Sequence, residues 1–124
     1  QLIQDDPNLV EAQDSKGMTP LHIAAVKKRH DIVNLLLKSK ANPEAKNGEG
    51  RTPLHLAIAA DKLISANLLM EYHANREAKD NYGNTPLHLA ANMGRVRAID
   101  FLVDSYHVNP EALNNNHCTP LHNA

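Results

Sequence analysis

Four near-identical hexapeptides recur along this chain of 124 residues. They read TPLHIA at 19–24, TPLHLA at 52–57 and again at 85–90, and TPLHNA at 119–124, so their starts lie 33, 33 and 34 residues apart. A fixed period of this length means that one supersecondary unit is copied along a line and that each copy covers the apolar face of its neighbour. The repeat therefore predicts a stack of similar layers.

Each hexapeptide has the chemistry of a helix start. Proline is well placed at the first position of a helix, because its missing N–H would have no partner there. The threonine before it is then the N-cap, whose hydroxyl accepts a hydrogen bond from a free backbone N–H. We therefore predict a short helix after each Thr-Pro pair, and its alanines allow a second helix to approach closely.

A second apolar segment follows the first three hexapeptides: DIVNLLL, LISANLLM and VRAIDFLV, at 31–37, 63–70 and 96–103. Spacings of three and four residues put Ile32, Leu35 and Leu36 on one helical face, and Ile99 and Leu102 on another. Each unit is therefore predicted to be a helical hairpin with a buried seam.

A polar stretch with glycine separates successive hairpins. A glycine stands two residues before each of the first three threonines, and an acid or amide stands three residues before each glycine: Gly17, Gly50 and Gly83, preceded by Asp14, Asn47 and Asp80. This is the chemistry of a tight turn, in which glycine adopts a positive φ without steric cost. We expect a projecting β-turn between helix pairs.

With these features the chain resembles the ankyrin-repeat family, whose unit of about 33 residues joins a turn to two helices and carries T-P-L-H-x-A. The resemblance implies an all-α solenoid of stacked antiparallel helix pairs with projecting β-turns. It makes residues 1–124 a single domain in which 14–46, 47–79 and 80–113 are complete repeats. Residues 1–13 are then the tail of a preceding repeat and 114–124 the start of a further one, so we expect an excerpt of a longer chain.

Several positions depart from the family pattern. His117 stands where the other copies have a turn glycine, and we expect its backbone strain to be on the order of 1 kcal/mol. Other residues replace glycine at the ends of helices, where a left-handed backbone is usual: Lys28, Lys40, Asp61 and His73. The third unit has one extra residue within DSYHVNPEA, and we expect it in a lengthened loop after the second helix.

The composition narrows the class of function. A net charge of −1 and a pI near 6.8 give no global field to attract nucleic acid or an anionic membrane. The one basic cluster, KKR at 27–29, is interpreted as a solvated helix end. The only cysteine, Cys118, has no disulfide partner within the chain, which favours an intracellular and cytoplasmic setting. No apolar run approaches the length of a membrane span.

Eight histidines suggest a metal site. Four of them belong to the hexapeptides, however, and should lie roughly 10 Å apart, one per layer, whereas zinc ligands lie within about 2 Å of the ion. We therefore expect no metal and no cofactor. We expect each ring to bind the backbone and side chains of its own turn instead: His22, His55, His88 and His122.

A ladder of glutamates stands where the family commonly has asparagine: Glu11, Glu44, Glu77 and Glu111. Carboxylates a layer apart are too distant to share acid–base chemistry. We expect them to accept hydrogen bonds from loop backbone or to pair with Lys46 and Lys79, and a cationic partner along this edge is an open alternative. The sequence offers no set of nucleophile, base and oxyanion donors, and it does not predict an enzyme.

The predicted function is non-catalytic protein–protein interaction, as a scaffold or adaptor segment that binds another protein or peptide. The resemblance implies that partners are held by the turn tips and the exposed face of the first helices. Carried over by position, these are Lys16, Met18, Val26, Lys27, Glu49, Arg51, Asn81, Tyr82, Asn84, Asn92 and Met93. Tyr82 and Arg51 are the strongest candidates, because tyrosine and arginine dominate interface hot spots.

Two alternatives are open. The chain could be a regulatory or targeting arm of a larger enzyme, channel or secreted bacterial effector. It could also capture a small anionic ligand at the turn tips, through Lys16, Arg51 and nearby backbone N–H groups.

Overall fold

The computed structural model describes residues 13–27 and 29–120, in which the chain forms three helical hairpins, each preceded by a turn. The first helices are α1 (Pro20–Val26), α3 (Pro53–Ala59) and α5 (Pro86–Asn92), and the second helices are α2 (His30–Lys38), α4 (Leu63–Glu71) and α6 (Val96–Asp100). A π-helical turn, Phe101–Ser105, continues α6. The predictions for Glu11, Lys28 and His122, and for the tail of a preceding repeat, concern residues outside those described.

The first helices begin as the hexapeptides predict. Each starts at its proline, and the threonine before it has an extended backbone and caps the helix. The hydroxyl of Thr52, for example, accepts from the backbone N–H of His55 at 3.4 Å. These caps are buried, so each helix start is fixed inside the stack rather than at its surface.

The helices form two rows. In the inner row α1 packs on α3 and α3 on α5, in the outer row α2 packs on α4, and each first helix packs on its own second helix. The inner row is held close by small residues, because Ala25, Ala57 and Ala90 are fully buried between larger leucines. This arrangement confirms the all-α repeat fold that the sequence predicts.

The buried face of the second helices matches the predicted one only in part, because Leu36 and Leu102 are buried as expected and the other predicted residues are not. In α2, Val33, Leu36 and Leu37 are buried, whereas Ile32 and Leu35 are only partly covered. The third hairpin likewise buries Ala98 and Leu102 and leaves Ile99 partly exposed. A second helix contacts both its own first helix and the second helix of the next layer, and the spacing of apolar residues alone does not reveal which of the two contacts is deeper.

The expectation of a longer loop in the third unit is wrong. The extra residue is absorbed within the helix, as the π-helical turn Phe101–Ser105. In the first two hairpins the backbone N–H after the left-handed residue reaches back five residues, as from Ala41 to Leu36, but that of Val108 reaches back six, to Leu102. A wider turn keeps both Leu102 and Val108 buried and leaves the following loop unchanged.

Left-handed backbone occurs at most of the predicted positions. The φ angles are 68° at Lys40, 61° at Asp61, 66° at His73 and 60° at His117. Side chains thus replace glycine with the same left-handed backbone at three helix ends and, at His117, in a turn. His107, with a φ of 53°, plays the same part in the third hairpin.

The turn glycines are needed for two reasons. Gly17, Gly50 and Gly83 have φ angles of 77°, 76° and 77°, as predicted. Each also lies directly against the turn of the next layer: a Cβ on Gly83 would lie only 2.6 Å from the backbone nitrogen of Asn115. His117 holds this position in the last turn described, and within residues 13–27 and 29–120 no further turn packs on it.

We predict that Gly50→Ala lowers the free energy of unfolding by more than Gly94→Ala does. Both glycines have positive φ, so alanine costs about 1 kcal/mol at either position. Only at Gly50 would the new methyl meet the next layer, 2.8 Å from the Asn81 nitrogen, whereas nothing lies within 4 Å at Gly94. The clash should add about 1–3 kcal/mol. Urea titrations of the two variants measure the difference, and equal losses would contradict it.

Candidate functional site

Each turn tip is organised by one acidic or amide side chain. The Asn47 side-chain oxygen accepts from the backbone N–H groups of Glu49 and Arg51, at 2.9 and 3.0 Å. The same pair of bonds is formed in the other turns by Asp14, Asp80 and Asn114. At Asp14 the backbone N–H groups of Met18 and Lys16 lower the pKa of the carboxyl, because they stabilise its charged form. The tips are therefore internally ordered.

Neighbouring tips are joined by backbone hydrogen bonds. The backbone N–H of Gly48 donates to the carbonyl of Lys16 at 2.9 Å, and the backbone N–H of Asn81 donates to the carbonyl of Glu49 at 3.0 Å. The next bond runs from Asn115 to Tyr82, at 2.9 Å. The tips thus form a regular row, and their side chains project from it at fixed intervals.

The histidines of the hexapeptides connect the layers. His22 Nδ1 accepts the N–H of Thr19 at 3.0 Å, and its Nε2–H donates to the carbonyl of Arg51, in the next layer, at 2.8 Å. His55 and His88 repeat both bonds, with Nε2 reaching the carbonyls of Asn84 and Cys118. The predicted bond to the turn is confirmed for these three rings. The bond between layers was not predicted from the sequence.

A groove of about 510 Å³ lies between the first two turn tips and the inner helices. Four of the predicted partner-binding residues line it: Lys16, Met18, Val26 and Glu49, together with Asn47, Gly48 and Leu56. Lys27 is exposed just beyond Val26. Leu56 was missed, although it fills the variable position of T-P-L-H-x-A and is only partly buried. The variation at this position between repeats was the sequence signal that could have identified Leu56 as a surface residue.

The third layer continues the surface with large exposed side chains. Tyr82 is 60% exposed at the turn tip, and Met93 is 52% exposed at the end of α5, next to the exposed Asn92. Asn81 is also exposed, and its amide donates to the carbonyl of Gly48 at 3.2 Å. The Tyr82 ring, by contrast, forms no hydrogen bond or ring contact with another side chain in the described part of the chain, so its area is available to a partner.

Like Asn81, two more of the predicted binding residues form side-chain bonds between successive turns. Arg51 Nε donates to the carboxylate of Asp80 at 3.1 Å, and the side chain of Asp80 is fully inaccessible. The guanidinium also pairs with Glu49 at 3.4 Å. The Asn84 side-chain oxygen accepts from the amide of Asn114 at 2.9 Å. Arg51 and Asn84 therefore help to join successive turns, and a binding role for either stays a prediction.

The glutamate ladder joins successive loops. Glu44 accepts from the backbone N–H of Asn75 at 2.6 Å, and Glu77 accepts from Asn109 at 2.8 Å. This confirms the expected bonds to loop backbone for these two carboxylates. Across the described ranges, neither Lys46 nor Lys79 forms an ion pair with the ladder, and Lys79 Nζ donates instead to the carbonyl of Leu113.

The family sequence model described as ankyrin repeats, in three copies, matches residues 1–80 and 63–124. The chain belongs to the ankyrin-repeat family. Ankyrin repeats are generally modules of protein–protein interaction and are typically non-catalytic. No curated protein matched the chain in a sequence comparison. Among the residues described, no helix has the length and apolar character required to cross a membrane.

The surroundings of His22 and His55 favour the neutral form of the ring. Burial lowers the pKa of His22 and of His55, because the imidazolium would lose its hydration. A proton on Nδ1 would also face the donating N–H of the capping threonine. Within residues 13–27 and 29–120, no three His, Cys, Asp or Glu side chains are grouped so as to hold one metal ion.

We predict that the free energy of unfolding falls as the pH drops below 6.5, the ordinary histidine pKa. Above that pH the contribution of His22 and His55 is complete. Below it the unfolded chain binds protons that the folded rings resist, so stability is lost until the pH passes the lowered folded pKa. Each ring contributes at most about 1.4 kcal/mol per pH unit.

Urea unfolding on both sides of pH 6.5 measures this slope, with His55→Gln as the comparison. Glutamine at the third helical position can still accept the N–H of the capping threonine but does not titrate. The variant should therefore show a shallower pH dependence than the natural chain, and an unchanged slope would show that the buried ring is not its source.

Proposed function

We propose that this ankyrin-repeat protein is a scaffold or adaptor segment that binds another protein along its row of turn tips and the exposed ends of its first helices. The observation that carries the proposal is the groove of about 510 Å³, in which Lys16, Met18, Val26 and Glu49 meet. It combines apolar walls with charged side chains at the turns, which is the composition of a recognition surface.

The division between repeated and variable residues supports this surface. The threonine, leucine and histidine of T-P-L-H-x-A, which are common to every complete repeat, are buried. The side chains at the tips differ from layer to layer, with Lys16, Glu49 and Tyr82 at equivalent positions. A surface that varies in charge and size along a fixed frame can be selective for one partner without altering the fold.

The order of the turns also favours tight binding. Every tip is tied to its neighbour through backbone, and Arg51 is held by Asp80 across the layers. Side chains that are positioned before the partner arrives lose little conformational entropy on binding. Affinity should therefore come mainly from exposed side chains with large area, such as Tyr82 and Met93.

Capture of a small anion at the turn tips has less support. The positive charge of Arg51 is already paired with Asp80 and Glu49. The backbone N–H groups of Lys16 and Met18 donate to the carboxylate of Asp14, and the backbone N–H of Gly48 donates to the carbonyl of Lys16. A role as the regulatory or targeting arm of a larger enzyme, channel or effector would use the same surface, and the rest of that chain would decide it.

We predict that Tyr82→Ala weakens binding of the physiological partner by about 30-fold, which is the effect of a 2 kcal/mol hot spot. Tyr72→Ala is the matched control, because Tyr72 is also partly exposed, at 37%, but follows the second helix α4. The partner would first be recovered by affinity purification with the full-length protein, and its Kd for each variant measured by calorimetry. An unchanged Kd for Tyr82→Ala, or equal losses for both variants, would contradict the proposed surface.

A further inference from the structure

Positive charge is concentrated where each first helix passes into its second helix, at the end remote from the turns. We call this the interhelix edge and define it as residues 27–31, 59–64 and 92–97. Its described residues carry five basic side chains against two acidic ones, a balance of +3, whereas the whole chain has a net charge of −1. The bases are Lys27, Arg29, Lys62, Arg95 and Arg97, and the acids are Asp31 and Asp61.

A groove of about 290 Å³ runs along this edge and spans three layers. His30 borders it in the first layer, Lys62 to Ser65 in the second, and Arg97 in the third. Ile64 is 61% exposed within it, and Val96, beside Arg97, is 66% exposed. Two β-branched apolar side chains thus face solvent close in sequence to basic ones.

The basic side chains of the edge differ in their partners. Arg95 Nε donates to the carbonyl of Ala59 at 3.0 Å, and Arg29 pairs with Asp31 at 3.7 Å. The side chains of Lys62 and Arg97, by contrast, form no hydrogen bond or ion pair with any other residue in the described part of the chain. These two charges flank the exposed apolar residues and contribute nothing to the stack itself.

We propose that the interhelix groove binds an acidic segment of a partner protein, whose apolar side chains cover Ile64 and Val96 while its carboxylates pair with Lys62 and Arg97. Charge complementarity selects this occupant, because an excess of positive charge at a rim attracts carboxylates and suppresses basic partners. A nucleic acid fits less well: no aromatic side chain lines the groove to stack on bases, and Asp61 lies inside it.

This proposal goes beyond the turn-tip surface, because the two grooves share no residue. The test is selection of a phage-displayed library of random 12-residue peptides on the intact chain, followed by Kd measurements of the enriched peptides. Three variants are compared with the natural chain: Lys62→Glu with Arg97→Glu at the edge, Tyr82→Ala at the turn tip, and Lys38→Glu with Lys46→Glu. The Lys38→Glu, Lys46→Glu variant changes the net charge by the same amount as the edge variant, but at exposed positions outside the edge.

We expect a class of peptides that combine Asp or Glu with Leu, Ile or Phe and that lose at least tenfold in affinity on the edge variant alone. Their binding should also weaken with added salt. Ile64→Ser, which keeps the charges, should weaken the same peptides, and thermal melts verify that every variant remains folded. Because Tyr82→Ala is measured in the same panel, the outcome at the edge is independent of the outcome at the turn tips.

Three results would overturn the proposal. The first is a selection that yields no peptide sensitive to the edge variant. The second is an equal loss on the Lys38→Glu, Lys46→Glu control, which would indicate general charge attraction. The third is a single-stranded DNA 20-mer that binds the natural chain more tightly than any selected peptide and depends on Lys62 and Arg97, which would assign the edge to nucleic acid.

Discussion

The buried histidine of each complete repeat uses both of its ring nitrogens, one for its own layer and one for the next. Nδ1 receives the N–H of the capping threonine, and Nε2–H donates to the carbonyl that immediately precedes the next capping threonine. The start of one first helix is thereby tied to the start of the following one. Because these bonds are buried, losing a partner would leave a polar group unsatisfied at a cost of about 1–3 kcal/mol. The 33-residue period is thus enforced by hydrogen bonds as well as by packed alanines and leucines.

As a consequence, different residues stabilise the stack and form the exposed surface that a partner could bind. The capping threonines and histidines that hold successive layers together are withdrawn from the surface, and the exposed side chains at the turn tips differ between layers. Two of the grooves on the resulting surface lie beside the turn tips and at the interhelix edge. Some polar side chains do both, as Arg51 does: it forms an ion pair with the buried Asp80 and yet remains partly exposed.

Sequence reasoning succeeded where the structure depends on local chemistry. The Thr-Pro helix starts, the turn glycines and the left-handed backbone at Lys40 follow from the residue types themselves. It failed where the outcome depends on a neighbouring layer. The buried face of α2, the second bond of His22 and the Arg51–Asp80 pair all involve residues about one repeat away or the packing of another helix. The extra residue of the third unit was misplaced because a helix and a loop can both absorb it. Four predicted site residues line the turn-tip groove, and Leu56 was missed.

The bonds between layers require imidazole rings that carry a proton on Nε2, and NMR of the imidazole nitrogens observes this proton directly. Long-range ¹H–¹⁵N correlation spectra at neutral pH should show His22, His55 and His88 as single Nε2–H tautomers, each with a slowly exchanging ring proton. Signals averaged between tautomers at these three residues, or a proton on Nδ1, would contradict the claim that the histidines join the layers.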